Sequence, residues 1–294
     1  MRGRPLLGIG FVGAGRVART LSQAFVQANL PVIAVYSRNQ EAAQLLHRRT
    51  PTAQPMSQPQ AVLDVCDTIF LTVSDDAIGP VCDALPWRSH HRVIHCSGVT
   101  DISALDSAKA ESAATGGFHP IQMFANPDVA LETLPGCTIG IEADQPLQTE
   151  LESIAKLLGC VPFALAPGMR PLYHASTYYV GPFLIALLDE SVRLWQSLGA
   201  SETEALRAMV PLLRGTVAAV LDGGLANGMG GCVARGDVGT IAKHLGALDA
   251  RSSSAGRLYR ELALRTVPLA VQRGTLSPER AVEIQHMLNP QVNG

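Results

Sequence analysis

The sequence predicts an α/β domain built on a mostly parallel sheet, followed by a second, all-helical domain. Three observations predict it. Short apolar runs alternate with helix-length segments through the first half of the chain. A glycine-rich turn stands where the first apolar run meets the first helix, and after Pro171 the strand pattern stops. The expected boundaries are 1–167 for the sheet domain and 168–294 for the helical one.

Leu6 to Val12 reads as a buried strand and Arg16 to Ala28 as the helix after it. The run LPVIAVYS (30–37) is the next strand and Gln40 to Arg48 the next helix. DTIFLTVSD (67–75), RVIHCSG (92–98) and ATGGFHPIQMF (114–124) continue the series. GCTIGIEA (136–143), a helix near 147–159 and CVPFAL (160–165) add a further strand–helix–strand unit. Continuously apolar strands separated by helices are what a parallel sheet covered on both faces requires. In the second half, Leu172 to Leu198 is expected as one long helix closed by Gly199, and Glu202 to Leu221 as another ending at Gly223 and Gly224. A shorter helix is expected within 236–248, and a long one from Ala255 to Gln272 stops at Gly274. The last is announced by SPER (277–280), an N-cap serine followed by a proline suited to a first turn.

Composition narrows the function. A chain of 294 residues with 47% hydrophobic residues can bury two cores, and a formal net charge of -2 with scattered basic residues offers no nucleic-acid footprint. The six cysteines lie far apart and read as small buried hydrophobes, not as a disulfide framework or a metal site. No stretch is read as long and apolar enough to span a bilayer, and the start MRGRPLLGIGFVGAG reads as a first strand, not a signal peptide. A soluble, reducing, cytoplasmic setting is expected, with no nucleic-acid or membrane partner.

Gly13, Gly15 and Ala18 form GxGxxA at the first strand-to-helix turn, which makes the sheet domain Rossmann-type. Gly13 permits the tight turn, Gly15 lets backbone approach a pyrophosphate, and Ala18 lets helix and sheet pack closely. The backbone of Gly13, Ala14, Gly15, Arg16 and Val17 is the expected phosphate cradle, at a helix amino terminus. At the end of the second strand, where NAD sites commonly carry an acid, stand Ser37 and Arg38; this favours NADP over NAD through the 2′-phosphate. Ser74 and Ser97 end later strands on the same edge, where each either contacts the cofactor or caps the segment that follows.

Candidate chemistry lies further on. His174 and Tyr178 share a helical face, and the histidine suits proton transfer to a developing alkoxide or amine; the alternative is a hydrogen-bonded pair inside a bundle. His119 is a second candidate acid. Arg235 suits a bidentate grip on a carboxylate, while Asp237 either caps a helix or fixes that arginine. No GxSxG elbow and no HExxH helix is present, so neither a serine hydrolase nor a zinc protease is indicated.

The joint order of GxGxxA, Ser97-Gly98, FHP (118–120), LYHA (172–175), ARGD (234–237) and KHL (243–245) resembles the bacterial Rossmann-like proteins with a carboxy-terminal helical domain of unknown function, DUF2520. That family is similar to the β-hydroxyacid dehydrogenase, pyrroline-carboxylate reductase and 6-phosphogluconate dehydrogenase group. The resemblance implies an NAD(P)-dependent oxidoreductase acting on a small carboxylate-bearing oxo, hydroxy or imino acid, with the cofactor on the glycine turn. It also implies a 6-phosphogluconate dehydrogenase-like helical domain and a homodimer joined through it. Two positions depart from the family pattern: Gly181 stands where an asparagine is common, and Gly231-Cys232 where GP is usual. The dehydrogenase relatives use a lysine on the long helix, and His174 occupies that neighbourhood here. Alternatives are a ketopantoate-type reductase, a non-catalytic dinucleotide sensor, and a structural or interaction protein.

Overall fold

All four residues of β1 (Ile9–Val12) are buried, as a central strand covered on both faces requires. The computed structural model describes residues 8–289, so Leu6 and Leu7 of the expected first strand lie outside the described residues. The next elements are α1 (Arg16–Gln27), β2 (Val32–Tyr36) and α2 (Gln40–Arg49), followed by β3 (Gln54–Pro55) and α3 (Gln60–Val65). These last two were not expected from the sequence, because neither is long enough to establish a period. The series continues with β4 (Thr68–Leu71), α4 (Asp75–Asp83), β5 (Arg92–His95), α5 (Asp106–Ala110), β6 (Ala114–Pro120) and α6 (Pro127–Glu132). It ends with β7 (Thr138–Ala143), α7 (Leu147–Leu157) and β8 (Val161–Ala164).

The strands form one sheet in the order β3-β2-β1-β4-β5-β6-β7-β8. From β3 to β6 every neighbour is parallel; β7 then runs antiparallel to β6, with His119 opposite Gly140 and Gly117 opposite Glu142, and β8 is parallel to β7. On one face Phe11, Phe25, Phe70 and Phe118 pack with ring centroids 5.1 to 6.5 Å apart. On the other, Val62, Ile69, Leu71, Ile78, Val93 and Leu105 form a second apolar layer. All six cysteines are free, and Cys66, Cys82, Cys137 and Cys160 are buried.

The chain divides into two compact units, 1–182 and 183–294. The long helix expected over Leu172–Leu198 is two: α8 (Arg170–Tyr178), in the first unit, and α9 (Pro182–Gln196). Pro182 has no amide to continue the ladder and disfavours a helical Gly181 before it, which breaks the run there. In the second unit α10 (Glu202–Gly228) outlasts its expected end: the backbone kinks at Gly224, with φ +75°, and then resumes. It is followed by α11 (Gly231–Ala234), α12 (Val238–Arg251), α13 (Ser253–Arg273) and α14 (Pro278–Leu288). Side chains of Ser201, Asp237, Ser252 and Ser277 cap α10, α12, α13 and α14, and Gly274 ends α13 at φ +78°. Val233, Ile241, Leu245, Val267, Ala270 and Ile284 belong to the core of this unit.

One sequence expectation is corrected here. Among the described residues α10 is long and apolar enough to cross a membrane by length and composition. The added turn beyond Gly224 and the Ala, Leu and Val content produce this, and Leu212, Val217, Leu221 and Leu225 are exposed on it.

Phe70 sits at the centre of the aromatic cluster with no exposed surface. Phe70→Ala is expected to lower the unfolding free energy by about 3–5 kcal/mol, read as a fall in the urea midpoint at unchanged m-value.

Candidate active site

The turn after β1 is built on Gly13. Its φ is +108°, and a β-carbon there would stand 2.5 Å from the Thr72 carbonyl oxygen, so only glycine fits. Cross-strand bonds hold the turn: the Gly13 amide donates to the Tyr36 carbonyl at 2.8 Å, and the Thr72 hydroxyl to the Gly13 carbonyl at 3.0 Å. Gly15 is the N-cap of α1, with no side chain capping the helix and no acid in its first turn. The first amides of α1 are thus left for an anion, and fully buried Ala18 lets the helix lie close to the sheet.

A cleft of about 540 Å³ opens beside this turn. Gly13, Ala14, Ser37, Arg38 and Ser74 line it, so five of the nine expected cofactor residues share one cavity. Arg38 is exposed. Asn39 is committed to capping α2, its side chain accepting from the Ala42 amide, and the Ser37 hydroxyl accepts from the Asn39 amide at 3.2 Å. Gly15 and Arg16 are exposed at the start of α1, and Val17 packs against the aromatic core. Ser74 precedes α4 without a side-chain cap bond. Ser97 is buried and closes its own turn, its hydroxyl accepting from the Val99 and Thr100 amides. The donors present, free helix amides beside an arginine, suit a dinucleotide's phosphates.

A second constellation forms at the end of β6. His119 Nδ1 lies 2.9 Å from the Tyr173 hydroxyl, which also reaches the His119 carbonyl at 3.3 Å. The His119 and His174 rings meet edge to face, 5.6 Å between centroids, and His174 meets Tyr178 in the same way at 5.3 Å. Both imidazoles press on Gly98: a β-carbon there would strike His174 and lie 2.8 Å from His119 Nε2. His119, Gln122, Met123, His174, Tyr178 and Pro182 are among the residues lining a cavity of about 400 Å³.

Beneath these rings lies Arg170, wholly buried and paired with buried Glu142, Nε to Oε2 at 2.6 Å. Its Nη1 donates to the Ser97 carbonyl at 2.8 Å. Sequence reasoning found neither Arg170 nor Glu142, and it left Tyr173 without a role. One signal for Arg170 was available: a cation in the first turn of a helix opposes the helix dipole and needs a partner elsewhere.

Residues 137–266 match the model of a domain of unknown function, DUF2520, and residues 8–98 match that of the coenzyme F420-dependent NADP oxidoreductases. Neither match spans half of the chain; together they place an oxidoreductase-like segment before a DUF2520 segment. Among solved structures, a protein from Thermotoga maritima is 21% identical with a TM-score of 0.70, covering 90% of this chain and 98% of that one. An inferred NADP oxidoreductase from Bacteroides fragilis is 20% identical with a TM-score of 0.69, covering 89% and 97%. A pyrroline carboxylate reductase from Plasmodium falciparum, solved with NADP bound, is 14% identical with a TM-score of 0.60, covering 92% and 97%. At these identities the likeness establishes the fold. No curated protein matches.

The DUF2520 match begins at β7, inside the first unit, so it takes in Glu142, Arg170, His174 and Tyr178 as well as the helices that follow. Within it, Arg235 is exposed at the end of α11. Asp237 accepts from the Thr240 amide at 3.0 Å and from its hydroxyl at 2.7 Å, and so caps α12. Those bonds, with Arg235 and Lys243 nearby, hold its carboxyl below the usual range. Both residues lie in the second unit, and the first unit brings His119, His174 and Tyr178 together. His244 is hydrogen-bonded to Tyr259 at 3.0 Å.

Burial, with His174 and Arg170 adding to it, pushes His119 down to about 4, and burial with Arg170 and His119 pushes His95 down to about 3. Burial raises Tyr173 to about 12. Both histidines are therefore neutral in the folded protein at pH 6.5, where an unfolded chain would half-protonate them. As pH falls below that point the unfolded state binds the protons first, so these residues withdraw stability between pH 6.5 and their folded values. The urea midpoint should decline across that interval, and less steeply in His119→Gln; an NMR titration of His119 centred near 6.5 would contradict the assignment.

Proposed function

We propose that the chain is an NADP-dependent oxidoreductase that transfers a hydride to or from a small oxo, hydroxy or imino acid. One observation carries this: the glycine turn, the Ser37-Arg38 pair and the two imidazoles all stand at the carboxyl ends of parallel strands. In open α/β sheets that edge is the ligand crevice. The likeness to a pyrroline carboxylate reductase with NADP bound supports the same substrate class.

The turn at Gly13 and the amides of Ala14 to Val17 would cradle the pyrophosphate, and Arg38, with Ser37, would take the 2′-phosphate that distinguishes NADP from NAD. Ser74 borders the same cleft and Ser97 shapes the neighbouring turn. NADPH, when bound, supplies the hydride. His174 donates a proton to the oxygen or nitrogen of the substrate carbonyl or imine. His119 is the weaker candidate for a charged acid, because burial keeps its ring neutral. Its role is to fix His174, with Tyr173 holding its Nδ1 side. Tyr178 orients the other flank of His174. Arg235, exposed in the second unit with Asp237 as its charged neighbour, is a candidate for gripping a carboxylate. Free cysteines suit a reducing cytoplasmic setting.

Fluorescence titration is expected to give tighter binding of NADPH than of NADH, with Arg38→Ala weakening NADPH selectively. His174→Gln should leave NADPH binding intact and lower kcat for oxo- and imino-acid reduction by about 10²–10⁴-fold. Binding without turnover across such a panel, ketopantoate included, would leave a dinucleotide sensor; absence of binding by folded protein would reject the reading.

The exposed apolar row on α10 supports a homodimer through the helical unit, with a second copy covering Leu212, Val217, Leu221 and Leu225. Light scattering on the eluted protein should give about twice the chain mass, and Leu221→Glu should return it to one. Recovery only in detergent would point α10 to a membrane instead.

A further inference from the structure

Arg170 reaches three strands at once. It bonds the carboxylate of Glu142 on β7 and the carbonyl of Ser97 beyond β5, and its remaining nitrogen lies over Gly117 on β6, where any β-carbon would collide with it. It is also the first residue of α8, a nine-residue helix whose N-cap, Met169, contributes no side-chain bond. One turn later His174 stands over Gly98, and Tyr173 stands over Gly140, where a β-carbon would lie 2.5 Å from its hydroxyl. Two neighbouring strands and the loop after β5 thus offer glycine floors to three residues near the start of α8.

A buried ion pair is a poor means of stabilising a fold, since apolar groups of the same volume commonly do as well. This one is also incompletely satisfied: Nη2 of Arg170 and Oε1 of Glu142 have no hydrogen-bond partner, and neither does Nε2 of nearby His95. What the pair does supply is register. Its fork fixes where α8 starts and how it is rotated, and hence where the side chain four residues on must fall.

We infer that Arg170 and Glu142 are positioning residues, which lock the first turn of α8 onto β5, β6 and β7 so that His174 meets His119 above Gly98. The inference rests on the reading of His174 as proton donor. Neither residue touches the cavity that His119 and His174 line; they act through the helix. The titratable groups facing Arg170 are Glu142, His95, Cys96, Asp101, His119 and Tyr173, so its removal changes their electrostatics as well as the geometry.

The test is the double variant Arg170→Gln/Glu142→Gln, which removes both charges and strands neither, beside Arg170→Lys, which keeps the charge without the fork. The full-length proteins are compared by thermal unfolding, NADPH titration, kcat and KM for the reduced substrate, and ring-to-ring nuclear Overhauser contacts between His119 and His174. The double variant is expected to fold and to bind NADPH with the parent Kd. Its ring contact should be lost, and kcat should fall about 100-fold with KM little changed. Arg170→Lys should recover part of the contact and of kcat. A folded double variant with the ring contact and kcat both intact would overturn the inference, and so would lost contact at unchanged kcat. If the double variant does not fold, Arg170→Lys decides: full parental contact and kcat there would overturn it. If the parent turns over no substrate, the reductase reading fails by itself, and the ring contact alone still decides whether Arg170 positions His174.

Discussion

A guanidinium cut off from water must have its charge answered nearby, and the first unit is arranged around that demand at Arg170. Glu142 answers it from β7, but the answer depends on more than one carboxylate. β7 must run antiparallel to β6 for Glu142 to stand opposite Gly117, and residue 117 must lack a side chain for the fork to lie flat between them. The carbonyl of Ser97 must turn inward, which the bonds from the Val99 and Thr100 amides to the Ser97 hydroxyl make possible. Sheet direction, glycine placement and a loop's internal bonding thus meet at one side chain.

The same charge adds to what burial does to the groups above it. Burial first, and the nearby guanidinium after it, keep His95 and His119 as neutral imidazoles. Tyr173, half-buried and kept as a phenol, holds the Nδ1 side of His119. His174 stands beside them at the wall of the cavity.

Much of this architecture was legible in the sequence because it is local. GxGxxA, the apolar strands and the SPER cap each declare themselves within a few residues, and the cleft gathers Gly13, Ala14, Ser37, Arg38 and Ser74 as their positions at strand ends implied. The histidine pair was half legible: His119 and His174 stood out as residue types, but their meeting depends on a strand and a helix 54 residues apart at the Tyr173 bond. The partners of Arg170 were not legible, since they lie 28 and 73 residues away and no periodicity encodes such distances. The break between α8 and α9 was written plainly in Gly181-Pro182, yet the apolar pattern on both sides outweighed it. The extension of α10 past Gly224 goes the other way, a kink that the flanking helix formers survive.

Pro182, the residue at which the first unit gives way to the second, is also part of the wall of the cavity beside His174, together with Gly181 and Val180. The junction is therefore not an inert tether. A cut in the chain at 180–182 would fall in the lining of the pocket and not in a spacer beside it. The first unit's last residues are thus part of its cavity and could not be trimmed to shorten the join.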